Sequence, residues 1–181
     1  MAGDTELLLR VQTEVLEAVA RGEELAEVGD ILCRRVESRV PGVACSILLI
    51  EEGKVRPLAG PSLPVTFSAA VDGVPIGPCA GSCGTAAWRG EPVIVTDIET
   101  DPLWADYKAL ALPLGLQACW SSPIHNSEGK VVATFAFYYD TKRGPSAFER
   151  DVVDTCLHLC ALAIEHERVR ARNHRLAYFD V

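Results

Sequence analysis

Two apolar, β-rich runs constrain this chain most: residues 116–124 and 131–139, separated by the turn formers Asn126, Ser127, Glu128 and Gly129. Such a pair reads as a β-hairpin. Successive side chains of a strand point to opposite faces. Alternation therefore sorts Cys119, Ser121, Thr134, Ala136 and Tyr138 into one set, and Trp120, Phe135, Phe137 and Tyr139 into the other. A register slip of one residue would exchange the two sets. Both faces of a sheet carrying these sets have to be covered.

The covers are visible elsewhere in the chain. Asp4 or Thr5 can cap a helix whose Leu8, Val11, Val15 and Val19 form one stripe before Gly22. A second helix carries Leu25, Val28, Leu32 and Val36 on one face and stops at Pro41 and Gly42. From Ser146 onward the chain has no proline or glycine, and Ser146 with Glu149 spells a capping box, so one long helix is expected. Its inward positions read as Val152, Thr155, Leu159, Leu162, His166, Val169, Asn173 and Leu176, core first and coiled-coil seam later. Arg168, Arg170, Arg172 and Arg175 leave only a narrow face there for a partner helix.

Between these helices lie the remaining elements. Residues 43–50 and 55–59, turned by Glu52 and Gly53, read as a first hairpin. The Pro- and Gly-rich segment 60–79 reads as a loop over the sheet with a helical turn or two near 67–71. Residues 82–88 form a short helix entered from Gly81, 91–98 a strand, and 103–112 a second short helix capped by Asp101 with Pro102 in its first turn. The long amphipathic helices need one sheet face and the crossing segments roof the other, which leaves a cavity between sheet and loops.

Composition narrows the function classes. The 181 residues carry a formal charge of -8 and are 49% hydrophobic, so nucleic acid and anionic membranes are poor partners. Seven cysteines, an odd set, and the lack of a signal-like start point to a reducing cytoplasmic setting. The apolar runs are far shorter than the ~20 residues a membrane-spanning helix needs, so no direct membrane contact is expected.

The order of several short motifs resembles that of GAF domains. These are Gly81-Ser82-Cys83-Gly84-Thr85-Ala86-Ala87, the strand 92–98, Asp101-Pro102-Leu103-Trp104, Trp120-Ser121-Ser122-Pro123-Ile124, and Gly129 with the strand 135–139. The likeness covers roughly residues 20–168 and is greatest to the GAF sensors preceding diguanylate cyclase (GGDEF) or cyclic-di-GMP phosphodiesterase (EAL) modules of bacterial signalling proteins. Residues 175–181 resemble the junction where such a cyclase begins. The resemblance implies an α+β sandwich: a central antiparallel sheet of about five or six strands, N- and C-terminal helices on one face, pocket loops and short helices on the other. It divides the chain into an N-terminal helix (1–22), a sensory domain (23–168) and a signalling helix (169–181) that leads to an output domain. It also implies a non-catalytic, small-molecule-sensing module that acts as a homodimer through its N- and C-terminal helices.

By the same resemblance the pocket side holds Ser46, Leu48, Cys119, Ser121, Thr134, Ala136 and Tyr138, with Ser82, Cys83 and Thr85 above them and Trp104 and Tyr107 as a wall. The plainer reading of Ser82 and Thr85 is a tight turn with a helix cap, and of the aromatics a core role. A helix start can also acidify Cys83. Cys79/Cys83 and Cys156/Cys160 repeat one spacing, but buried unpaired thiols explain them better than a metal site. No cofactor is named by the sequence. Relatives of the same fold that reduce free methionine sulfoxide through cysteines supply an enzyme alternative, and a ligand-free dimerisation scaffold a third. The histidines build no hydrolytic triad.

Overall fold

A computed structural model describes residues 2–179. Helices α1 (Ala2–Ala20) and α2 (Leu25–Glu37) lead into strands β1 (Val43–Glu51) and β2 (Lys54–Ala59). There follow α3 (Val65–Val71), α4 (Gly81–Arg89), β3 (Val93–Val95), a 3-10 turn at Pro102–Trp104, α5 (Lys108–Ala111), β4 (Ala118–His125), β5 (Val131–Tyr139) and α6 (Ala147–Phe179). The five strands form one sheet in the order β2-β1-β5-β4-β3, every neighbouring pair antiparallel. This is the α+β sandwich expected above.

The two hairpins close as their turn residues dictate. Glu52 and Gly53 both take positive φ (51° and 72°), the arrangement of a tight two-residue turn. Between β4 and β5 the Asn126 Oδ1 accepts the backbone N–H groups of Glu128 (3.0 Å) and Lys130 (2.9 Å). This pairing sets Ala136 opposite Ser46 on one side and Ser121 on the other.

On one face of the sheet, α1, α2 and α6 bury Val11, Val15, Leu32, Val36, Val152 and Leu159 against Ile47, Trp120, Phe135, Phe137 and Tyr139. Each such fully buried side chain contributes about 1.5–3 kcal/mol of transfer free energy. The other face carries α3, α4, α5 and the 102–104 turn over Leu48, Cys119, Ala136 and Tyr138. Alternation along β4 and β5 thus separates two cores with one strand set.

The start of α6 is tied down by one carboxylate. Ser146 Oγ accepts the Glu149 N–H and Glu149 Oε2 accepts the Ser146 N–H, both at 3.2 Å, which completes the capping box. Glu149 also accepts the Tyr139 hydroxyl (2.8 Å) and both terminal nitrogens of Arg143 (3.0 and 2.7 Å). Desolvation works against its charge, yet the bonds from Arg143, Tyr139 and Ser146 outweigh it and hold the carboxyl below its ordinary range.

Several expectations need correction. Helix α1 already runs from Ala2, so Asp4 and Thr5 lie inside its first turns rather than at its cap. The segment 60–79 holds a defined helix, α3, and the expected strand 91–98 shrinks to three paired residues. The expected helix 103–112 breaks into short turns. Pro113 supplies no N–H, the chain tightens to a 3-10 turn at Leu112–Leu114, and Gly115 at φ 78° ends it. In α6 the buried positions are Glu149, Val152, Val153, Cys156, Leu159, Cys160 and Ala163, whereas Leu162 is 58% exposed. A helix lying on a sheet keeps its own 3.6-residue period, so a 3.5-residue seam drifts off the buried face.

Candidate functional site

Helix α4 organises the roofed face. Gly81 enters it at φ 64°, and a Cβ there would stand 3.6 Å from the Trp104 ring, so the turn and the indole are fitted to each other. Ser82 then points inward: its Oγ donates to the Cys119 carbonyl (3.2 Å) and accepts the Trp104 Nε1–H (3.0 Å). One serine thereby joins α4, the sheet and the 102–104 turn, while Asp101 Oδ1 caps that turn by accepting the Leu103 N–H at 2.9 Å. Thr85 Oγ1 accepts the Ala80 N–H at 3.0 Å and so closes the start of the helix.

In front of α4 lies a small hollow of ≈ 40 Å³. Leu48 and Tyr138 rise into it from the sheet, Phe67 and Val71 from α3, Cys83 from α4, and Trp104 and Tyr107 from the segment before α5. The Tyr138 ring stands edge-on to Phe67 (centroids 5.8 Å apart, 87°) and to Trp104 (6.3 Å, 82°). None of the lining side chains is charged.

Behind Cys83, on the sheet itself, is a small polar nest. Ser46, Ser121 and Thr134 flank Ala136 in three neighbouring strands, all three are buried, and their hydroxyls have no hydrogen-bond partner in protein. Cys83 Sγ lies 3.9 Å from the Tyr138 hydroxyl. Favourable polar interaction with Cys119 above all, then with the hydroxyls of Ser121, Tyr138 and Thr134, overcomes desolvation and lowers the Cys83 thiol to about 7. Burial, joined by the neighbouring Cys83, pushes the Cys119 thiol and the Tyr138 hydroxyl well up. The cause of the low Cys83 value is this ring of donors rather than the helix start expected from sequence.

Residues 22–165 match the family model described as a GAF domain. The chain belongs to the GAF domain family. Over 165 residues it is 36% identical to a "Methyl sulfide methyltransferase-associated sensor" of Methanosarcina acetivorans, a match that covers 90% of this chain and 16% of that protein. The chain therefore spans about a sixth of that relative's length. The GAF domain of a phosphoenolpyruvate-protein phosphotransferase from Coxiella burnetii superposes with a TM-score of 0.74 at 18% identity, covering 91% of this chain and 96% of that one. A free methionine-R-sulfoxide reductase from Neisseria meningitidis also reaches 0.74, at 12% identity over 92% and 91% of the two chains. At such identities the two structures share the fold with this chain and nothing narrower.

Within this GAF domain the residues singled out from sequence fall into three places. Leu48, Ser82, Cys83, Trp104, Tyr107 and Tyr138 line the hollow. Ser46, Cys119, Ser121 and Ala136 lie deeper, beneath Cys83, and Thr85 serves its own helix. Phe67, Val71, Val74 and Val55 line the hollow without having been singled out. The spacing of Phe67 and Val71, one helical turn apart in a proline-rich stretch, was the available signal for them. Among the described residues no group of three or more His, Cys, Asp or Glu is placed to hold a metal, and no helix is long and apolar enough to cross a membrane.

Proposed function

We propose that this GAF domain is a regulatory, non-catalytic module that admits a small molecule to the hollow and acts, as a cytoplasmic homodimer, on a C-terminal output domain. The observation that carries the reading is an uncharged, aromatic-lined hollow on the sheet face opposite α1, α2 and α6. A molecule held in the hollow against Tyr138, Trp104 and Phe67 draws the roof onto β4 and β5, whose other face bears on α6. The arrangement of exposed leucines supports the dimer. Leu9 and Leu16 on α1 are seven residues apart, and so are Leu162, Val169 and Leu176 on α6, all of them 41–58% exposed. Seven-residue spacing is what a helical bundle between two copies needs. Control of cyclic-di-GMP synthesis or breakdown is the output proposed from the resemblance of residues 175–181, of which 180 and 181 lie outside the described residues.

Mass spectrometry of molecules released by denaturing natively purified protein tests the ligand. One compound in near-stoichiometric amount is expected, and Leu48→Trp, which fills the hollow, releases none. An empty hollow in both would leave a ligand-free scaffold as the better reading. Sedimentation equilibrium at high concentration tests the dimer, and a monomer throughout would remove it. A second reading, cysteine-dependent reduction of free methionine sulfoxide, is favoured by the presence of Cys83 and Cys119 in one buried cluster beside the hollow. Against it stands the uncharged lining, which offers nothing to the ammonium and carboxylate of a free amino acid.

A further inference from the structure

We infer that Cys83 is a modification site: a small uncharged hydroperoxide entering the hollow oxidises its sulfur, and Cys119 converts the product into a disulfide that pins α4 to β4. This deepens the sensory reading of the same hollow and rests on it. Three observations carry the inference. Cys83 forms part of the wall of a hollow without charged groups, which a neutral oxidant little larger than water can enter. The buried hydroxyls of Ser121 and Thr134, which have no hydrogen-bond partner, lie on the same sheet face as Tyr138, whose hydroxyl is 3.9 Å from the Cys83 sulfur, and together they offer a polar cradle for negative charge. A second thiol, Cys119, lies in the same buried cluster: its carbonyl accepts the hydroxyl of Ser82, the residue before Cys83, and it pairs with Tyr138 across the strands. The remaining buried thiols neighbour one another, but no hydroxyl lowers them. Cys33, Cys45, Cys156 and Cys160 sit in the core under the helices, where burial pushes them up, Cys160 to about 12.

The chemistry balances with hydrogen peroxide as the oxidant. The Cys83 thiolate attacks one peroxide oxygen, the S–O bond forms as the O–O bond breaks, and the departing hydroxide takes a proton to leave as water. The Cys119 sulfur, losing its proton, then attacks Cys83, the S–O bond breaks, and a second water leaves. Two thiols are oxidised by two electrons and one peroxide is reduced. The disulfide joins the wall of the hollow to the strand beneath it, so oxidation sets whether the roof can open.

The test adds dilute hydrogen peroxide to the full chain at neutral pH and maps every cysteine by peptide mass. The wild-type protein is expected to lose two hydrogens as a Cys83–Cys119 disulfide after consuming one peroxide. Cys119→Ser stops with one oxygen on Cys83, captured by a cyclic dione, and Cys83→Ser slows peroxide consumption about tenfold, the ratio of thiolate fractions. Brief alkylation of the unaltered protein across neutral pH needs no variant and is expected to modify Cys83 with a midpoint near about 7. Oxidation of Cys79 ahead of Cys83, or a Cys83 that stays reduced and unalkylated, would overturn the inference. So would sustained turnover of free methionine sulfoxide, which assigns the pair to catalysis. None of these readings depends on a retained molecule, so failure here is separable from an empty hollow.

Discussion

The two faces of one sheet make an instructive pair. Phe135, Phe137 and Tyr139 look toward the helices and stack edge-on in succession, 5.6 and 6.3 Å between ring centroids, with no polar group between them. Thr134, Ala136 and Tyr138, one residue out of step on the same strand, look toward the roof, and Thr134 and Tyr138 carry hydroxyls. Each face also holds cysteines. Under the helices burial raises the thiols and leaves them inert, while under the roof donors bring one thiol down to about 7. A single strand thus anchors the fold with its odd-numbered residues and presents chemistry with its even-numbered ones.

Substitutions on each side test how separate these duties are. Phe137→Ala, at a fully buried site of the helix side, is expected to cost roughly 3–5 kcal/mol in urea unfolding. A loss under about 1 kcal/mol would mean that the aromatic face is not the anchor. Glu149→Gln, where sheet and helix α6 are joined, is expected to cost about 1–3 kcal/mol at neutral pH. Because the folded protein holds this carboxyl below its usual 4.5, its contribution is present above that pH and disappears as pH falls through the lowered value. Wild-type and Gln stabilities should therefore converge in acid, and a gap that persists there would refute the ion-pair account. Ser121→Ala, on the roofed side, is expected to change stability by no more than about 0.5 kcal/mol, since its hydroxyl has no hydrogen-bond partner. The same change should move the Cys83 alkylation midpoint upward, and an unmoved midpoint would separate the nest from the thiol.

Much of this contrast is legible in the sequence because alternation is a local rule. The split between Phe137 and Tyr138 follows from parity once the hairpin around Asn126 and Gly129 is seen. The capping box of Ser146 and Glu149 reads directly, whereas the added bonds from Tyr139 and Arg143 do not, because they join residues whose approach depends on the whole β5 to α6 turn. Phe67 and Val71 stay hidden for a similar reason, since a helix of seven residues among prolines gives little periodicity to read. The low Cys83 value depends on Cys119 first and then on Ser121, Tyr138 and Thr134, residues of two strands that only the register of β4 against β5 brings together.

Helix α6 runs 33 residues without interruption, and its last buried residue is Ala163. The sixteen residues beyond it to Phe179 extend about 24 Å at the α-helical rise. A rigid rod gripped at one end is a lever arm. A tilt of about 5° at the gripped end displaces the far tip by about 2 Å, comparable to the helix shifts that switch protein interfaces. A sub-ångström rearrangement of the sheet therefore reaches whatever follows residue 179 already enlarged.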